Sequence, residues 1–417
     1  MLHASNSAAT PLRWLGAALL AATLAACQPQ AAPKAAVATA KPAPTPAELA
    51  ELGRALFFDP SLSASGKQSC ASCHDPAHGY GPPNKLAVQL GGEGLDRQGR
   101  RAPPSLAYTL NRTPVWHRLV PREFVERLTE TENVPTGGFM WDGRFNTLRE
   151  QARGPLLDPD EMANASEADV AAKLARAAYA DRIKALFGAD VFADPHRAVD
   201  AAASALERFE LDDPSFHRYD SKFDAYLDKK AELTPAEFRG LRLFADPGKG
   251  NCAACHRMEV GANGAHPLFT DYQFVALGVP RNPELRANAD PKYYDLGLCG
   301  PVREDQRDKP HFCGMFKTPT LRNTGLRGAY FHNGRFHRLE DVVRFYVERD
   351  TAPQKWYGRD KKGRTMAYDD LPPEMHLNVD HFDAPMDRKL GDKPALTGAE
   401  IGDLVAFLHT LDDGYKP

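Results

Sequence analysis

The sequence predicts a mainly α-helical protein made of two similar domains joined and wrapped by long loops. The same helix-start signal, Thr-Pro-Ala-Glu, occurs at residues 45–48 and 234–237, with a capping threonine, a proline and a glutamate able to complete a capping box. Each segment continues through a glycine, Leu-Phe and Asp-Pro to a cysteine motif, which indicates an internal duplication. The sequence contains no sustained alternation of polar and apolar residues, so it predicts no long strands. We therefore define a first half, 45–228, and a second half, 229–417.

Hydrophobic spacing predicts the remaining elements. A helix near the C-terminus follows a start signal at Thr397 and Glu400, and one of its faces carries Ile401, Leu404, Val405, Leu408 and Leu411. Helical patterns also cover 165–188 and 198–210, and long loops rich in glycine and proline are predicted at 81–104 and 278–314.

Each half contains one Cys-x-x-Cys-His motif. The motif residues are Cys70, Cys73 and His74 in the first half and Cys252, Cys255 and His256 in the second. With 7 cysteines and 14 histidines in 417 residues, only ~0.004 copies are expected by chance. The motif is typical of c-type haem attachment, in which both thiols bond to the haem and the histidine binds the iron. Zinc bound by Cys-x-x-Cys pairs is the alternative, but it needs no histidine directly after each pair. The sequence thus predicts two covalent haems in cytochrome-c-like domains.

Residues 1–26 are predicted to be a lipoprotein signal peptide. Arg13 precedes an apolar segment too short to span a bilayer as a helix, and the segment ends at Cys27, the expected lipidation site. An ordinary cleavable signal is the alternative. Residues 27–44 have little to bury and are predicted to be a flexible tether. We therefore expect a periplasmic protein held to a membrane only by a lipid anchor, and a net charge of −3 without a basic run gives no indication of nucleic-acid binding.

The segment 139–162 carries the most specific pattern after the cysteine motifs. It contains Trp-Asp-Gly-Arg, then Leu-Arg-Glu-Gln-Ala, Gly-Pro and Glu-Met, and the second half adds Phe-Lys-Thr-Pro-Thr-Leu-Arg-Asn at 316–323 and Tyr-Phe-His-Asn-Gly at 330–334. In these motifs the chain resembles the bacterial di-haem cytochrome c peroxidases over about residues 48–413. The resemblance implies reaction with hydrogen peroxide at the first haem and a small redox protein or a protein substrate as partner. It leaves open whether the protein is a monomer or a homodimer.

Three residues of this segment are candidates for catalysis. Peroxide cleavage needs a group that moves a proton between the two oxygens, and Glu161 matches the distal glutamate of the family; a partly desolvated carboxyl has a raised pKa and can hold that proton. Gln151 matches the distal glutamine, and Trp141 matches the tryptophan between the haems. The alternatives are a solvated acid at a helix end, a surface amide and a tryptophan that only packs in the core.

The chain departs from the family pattern near the first haem. Many members carry a distal histidine in the glycine-rich loop after the haem motif, but the corresponding loop here, 89–101, has none. Only His78 and His117 lie between His74 and Trp141, and neither stands at the expected place. The first haem is therefore predicted to be open as isolated.

Calcium binding is uncertain for a similar reason. Family members hold a Ca²⁺ between the haems near a Leu-Thr-x-Pro-Tyr run, where this chain has Leu-Arg-Gly-Ala-Tyr at 326–330 and Arg-Arg-Ala at 100–102. Arg101 and Arg327 could supply the charge of the metal, or backbone carbonyls could still bind it.

The second haem's other ligand separates two branches of the family. In the peroxidases it is a methionine 14 residues after the histidine of the Tyr-Phe-His run, whereas counting from His332 leads here to Tyr346. The MauG-like maturases, which use peroxide to store oxidising equivalents and oxidise a protein or other substrate, also have tyrosine there. In the alternative Tyr346 only packs, and the ligand is one of Met258, Met315, Met366, Met375 and Met386. We therefore predict a MauG-like oxidant, with an ordinary cytochrome c peroxidase and a tethered electron carrier without enzymatic activity as alternatives.

Two further cysteines, Cys299 and Cys313, remain in the second half. In an oxidising compartment such a pair is predicted to form a disulfide, which would stabilise the fold by ~3 kcal/mol in the chain-entropy description. Two free thiols are the alternative.

Overall fold

Helices form most of the regular structure. The computed structural model describes residues 43–108, 110–116 and 135–416, and this part contains nine α-helices. They are α1 Pro46–Phe57, α2 Leu148–Leu157, α3 Glu167–Leu174, α4 Ala180–Phe187, α5 Pro195–Asp212, α6 Lys222–Leu227, α7 Pro235–Ala245, α8 Leu339–Glu348 and α9 Gly398–His409. The mainly α-helical fold predicted from the sequence is confirmed. The pattern over 165–188 forms two short helices, α3 and α4, instead of one.

Strands are short and stabilise loops. Leu90–Gly91 (β1) pairs antiparallel with Arg97–Gln98 (β2), which makes the loop at 89–101 a hairpin. Phe274–Val275 (β3) pairs antiparallel with Phe316–Lys317 (β4) in the second half. The signal peptide, Cys27 and most of the tether lie outside the described residues. Among the helices that are described, none is both long and apolar enough to cross a membrane.

The repeated start signals form equivalent helix caps. In α1 the Thr45 hydroxyl accepts from the Glu48 N–H at 3.3 Å, and the Glu48 carboxylate accepts from the Thr45 N–H at 2.9 Å. In α7 Thr234 and Glu237 make the same two bonds at 3.3 and 2.7 Å. Both predicted capping boxes are confirmed.

The repeated glycines lie at equivalent helix crossings. A Cβ added to Gly53 on α1 would lie 2.0 Å from the Ala205 carbonyl oxygen on α5. A Cβ added to Gly240 on α7 would lie 2.0 Å from the Asp403 carbonyl oxygen on α9. Only glycine allows the backbones to approach so closely. The two halves therefore share the same pair of crossed helices, as expected for a duplication.

Each crossing is buried in its own hydrophobic core. The first core draws on residues 52–216, and the second draws on residues 223–411. Phe57 packs edge-on against Phe209 in the first core at 5.5 Å, and Phe244 packs in the same way against Phe407 in the second at 5.3 Å. The predicted domain boundary at 228–229 itself stays a prediction.

Candidate haem and peroxide sites

Both Cys-x-x-Cys-His motifs fold into the same turn. A 3-10 turn begins at the first cysteine of each motif, over Cys70–Ser72 and Cys252–Ala254. The N–H of His74 donates to the Cys70 carbonyl at 2.9 Å, and the N–H of His256 donates to the Cys252 carbonyl at 2.8 Å. The turns bring the two thiols and the imidazole of each motif to the wall of one continuous cavity.

Both motif histidines make the hydrogen bond that is expected of a metal-binding imidazole. The Nδ1 of His74 lies 3.1 Å from the Tyr80 carbonyl oxygen, and the Nδ1 of His256 lies 2.9 Å from the Phe269 carbonyl oxygen. Because a carbonyl only accepts, Nδ1 carries the proton in each ring and Nε2 keeps its lone pair. Burial lowers the pKa of His74 to about 4 and also lowers the pKa of His256. Two neutral imidazoles beside paired thiols fit the attachment of two haems.

Glu161 lines the cavity on the turn that follows α2. The β1–β2 hairpin covers this turn, because the N–H of Gly92 donates to the Glu161 carbonyl at 2.8 Å and a Cβ on Gly91 would lie 2.2 Å from the Asp160 carbonyl oxygen. The loop that lacks a histidine thus covers the predicted acid/base residue.

The surroundings of Glu161 keep its carboxyl partly protonated near neutral pH. Burial raises the pKa of Glu161 to about 7, and the negative charge of Asp158 adds to the rise. Arg144 and Arg100 oppose it without cancelling it. The carboxyl is therefore not a solvated acid at a helix end.

Gln151 and Trp141 also line the cavity. Gln151 lies on α2 and is 8% exposed, which is not the environment of a surface amide; its Nε2 lies 3.5 Å from the Met140 sulfur. The indole N–H of Trp141 donates to the Ala102 carbonyl at 2.7 Å, and the Trp141 carbonyl accepts from the Lys317 N–H at 2.9 Å. Trp141 is therefore anchored to both halves.

A buried network of ion pairs lies next to Trp141 in the chain. The sequence pointed to Arg101 in this network but not to the aspartates that pair with it. Arg101 donates to Asp142 at 2.7 Å and to both carboxylate oxygens of Asp295 at 2.6 and 2.7 Å. Asp142 also accepts from Arg144 at 3.0 Å. The aspartate of the Trp-Asp-Gly-Arg motif, Asp142, was the sequence feature that could have indicated these acidic residues. Within the described ranges no group of three or more His, Cys, Asp or Glu residues could hold a metal ion, and calcium binding stays an open prediction.

Tyr346 lies on α8 and lines the cavity together with Cys252 and Cys255. Burial raises the pKa of its phenol. Of the five methionines in the second half, only Met386 lines the cavity, and its sulfur lies 3.3 Å from Nη1 of Arg349. The thiols of Cys255 and Cys252 also act electrostatically on this phenol, and Tyr346 as the ligand of the second haem stays a prediction.

The remaining predicted residues are dispersed. Cys299 and Cys313 are joined by a disulfide. The Nδ1 of His78 lies 2.8 Å from a carboxylate oxygen of Asp75, and the residue is not part of the cavity wall. His117 lies outside the described residues. Among the residues that are described, the histidines lining the cavity are His74, His256 and His332.

Two haem-attachment motifs on one cavity, with a buried carboxyl and amide beside the first, define a di-haem c-type redox protein. A family model described as di-haem cytochrome c peroxidase matches residues 47–232. The methylamine utilization protein MauG of Paracoccus denitrificans (strain Pd 1222) is 34% identical over 88% of this chain and 90% of its own length. The cytochrome c551 peroxidase of Nitrosomonas europaea is 32% identical over 72% of this chain and 73% of its own length.

A solved structure agrees with these relatives. The diheme peroxidase BthA from Burkholderia thailandensis E264 is 39% identical, covers 89% of both chains and superposes with a TM-score of 0.78. The chain belongs to the di-haem cytochrome c peroxidase family. It is therefore a haem oxidoreductase, and membership of the family implies two c-type haems and reactivity toward hydrogen peroxide.

Proposed function

We propose that the protein reacts with hydrogen peroxide at the first haem and uses the stored oxidising equivalents to oxidise a protein or another substrate. The observation that carries this proposal is that Tyr346 lines the cavity and lies close enough to Cys255 and Cys252 for their thiols to act electrostatically on its phenol. A methionine ligand raises the potential of a haem and suits the entry of electrons, whereas a phenolate oxygen favours oxidised iron. Because burial raises the pKa of Tyr346, the phenolate forms only against a cation such as ferric iron.

The residues around the first motif would handle protons. Bound haem iron would supply the centre that binds peroxide and stores the oxidising equivalents. The Glu161 carboxylate would take a proton from one oxygen of the peroxide and return it to the other oxygen, which leaves as water. A pKa of about 7 suits both steps, since the carboxyl gains and loses its proton near neutral pH. The Gln151 amide would donate a hydrogen bond to the peroxide and hold it toward Glu161.

Trp141 is proposed to carry oxidising equivalents between the two halves. Its indole is on the cavity wall that both haem motifs share, and backbone bonds fix it to Ala102 and Lys317. The Ala102 carbonyl that accepts from the indole N–H cannot take its proton, so the ring would exchange electrons without losing hydrogen.

An ordinary cytochrome c peroxidase is the second candidate, and the similarity to the cytochrome c551 peroxidase favours it. In that case electrons from a small redox protein would enter at the second haem. For either function we propose a periplasmic protein tethered by lipid at Cys27. The buried acid/base group at Glu161 does not fit a simple electron carrier.

The reduction potential of the second haem distinguishes the peroxide-driven oxidant from the ordinary peroxidase. We expect a low potential in the wild-type holoprotein and slow peroxide reduction with a reduced small cytochrome c. Tyr346→Met should raise that potential and speed the cytochrome-dependent reaction, whereas Met386→Leu should change neither. A high wild-type potential with the sulfur-to-iron absorption band of methionine ligation, together with fast cytochrome oxidation, would overturn the proposal in favour of the ordinary peroxidase.

A further inference from the structure

Arg327 belongs to the second half but lies against the haem motif of the first. The segment that carries it packs tightly on residues 79–85: a Cβ on Gly79 would lie 2.7 Å from the Asn323 side chain, and a Cβ on Gly328 would lie 2.5 Å from the Asn84 carbonyl oxygen. Both contacts leave no room for a side chain at the glycine. The backbone around Arg327 is therefore fixed relative to the first half.

The guanidinium group of Arg327 reaches the backbone that supports His74. Its Nη2 donates to the Pro103 carbonyl at 3.1 Å, and a Cβ on Gly81 would lie 3.7 Å from its Nη1. Gly81 directly follows Tyr80, whose carbonyl accepts from His74, and the positive charge of Arg327 contributes to the lowered pKa of His74. Arg327 also lines the cavity.

Arg327 is a partly buried cation for which the described residues supply no carboxylate partner. Arg101, the other cation that the sequence singled out near the haems, is neutralised by Asp142 and Asp295. Across the described part of the chain no carboxylate pairs with Arg327, whose remaining bond is from Nε to the Ala329 carbonyl at 3.3 Å. Burial lowers the pKa of Arg327, but a guanidinium remains protonated at neutral pH. A charge that is partly withdrawn from water is costly unless it is paired, so an anion in the cavity would stabilise Arg327.

We propose that Arg327 pairs with a carboxylate of the first haem and raises the reduction potential of that haem. A haem attached at Cys70 and Cys73 would share the cavity with Arg327, and its carboxylates would be the anions available to that cation. A fixed positive charge favours reduced iron, because reduction removes one positive charge from the centre. The second half would thereby set the potential of the first haem through one side chain. The proposal rests on the presence of two c-type haems and not on which substrate is oxidised.

Spectroelectrochemical titration of the di-haem protein tests the proposal. Arg327→Gln should shift the balance of the first haem toward the oxidised form by about tenfold or more, and tenfold corresponds to about 59 mV for one electron. Arg327→Lys keeps the positive charge, and its first-haem potential should differ from the wild-type value by no more than about a third of that shift. Arg338→Gln removes an exposed arginine of the same half and should leave both potentials unchanged. A first-haem potential in Arg327→Gln that equals the wild-type value would overturn the proposal.

A second measurement covers the case in which Arg327→Gln does not retain both haems. Resonance Raman spectra of the wild type and of Arg327→Lys report the carboxylate bending modes of each haem. A guanidinium can make two hydrogen bonds to a carboxylate where an ammonium makes one, so a mode assigned to the first haem should shift in Arg327→Lys. Unchanged carboxylate modes in that variant would overturn the pairing.

Discussion

Replacing Glu161 with glutamine removes the movable proton of the peroxide site and keeps the shape of the side chain. The pKa of Glu161 is raised from an ordinary 4.5 to about 7. A difference of about 2.5 pKa units means that the site disfavours the carboxylate by about 3 kcal/mol relative to water. Near neutral pH the carboxyl therefore exists in both protonation states. Loss of a positioned acid/base group typically slows a reaction by about 10²–10⁴-fold, and we expect a loss in that range.

The pH dependence of the peroxide reaction rate tests the role of Glu161 independently. Only the carboxylate can accept the first proton of the peroxide, so the wild-type rate should rise with pH and level off above about 7. Glu161→Gln should be slow and flat over this range. The raised pKa also costs the wild type stability, beginning above its unfolded-state pKa of about 4.5 and reaching its full size above about 7. As the pH rises between these values, the unfolding free energy of the wild type should therefore fall relative to that of Glu161→Gln.

Stopped-flow absorbance of the fully oxidised protein after mixing with peroxide measures the rate directly. Glu93→Gln is the matched control, because Glu93 is an exposed carboxyl on the hairpin that covers Glu161. The control should keep the wild-type rate and pH profile. If Glu161→Gln reacts as fast as the wild type with the same pH profile, Glu161 has no part in proton transfer.

Two further predictions follow from the structure. The oxidised first haem should bind cyanide without prior reduction, since the loop at 89–101 contains no histidine; a low-spin bis-histidine spectrum, lost on half-reduction, would contradict this and point to His117. Gly53→Ala and Gly240→Ala should each lower the unfolding free energy by about 1–3 kcal/mol through overpacking, despite the better helix propensity of alanine. Gly402→Ala, where nothing lies within 4 Å, should instead stabilise the protein by up to about 1 kcal/mol, and equal effects at all three sites would refute the helix-crossing explanation.

Local signals accounted for much of the fold and for the list of candidate residues. The capping boxes at Thr45 and Thr234 form as predicted, because a cap depends on residues three positions apart. The haem motifs are equally local, since two thiols and an imidazole within five residues need only one turn to face the same way. The helical pattern at 165–188 was less reliable, because spacing alone did not show the break between α3 and α4.

The sequence by itself determined the two halves, their helices, the covalent haem motifs and the residue types available for peroxide chemistry. Only the tertiary structure decided which of those residues share a cavity. Neighbours in space set the raised pKa of Glu161, the pairing of Arg101 with Asp295 across 194 positions and the isolation of Arg327 from any described carboxylate. Burial and electrostatic pairing depend on distances between segments far apart in the chain, and local sequence patterns carry no information about those distances.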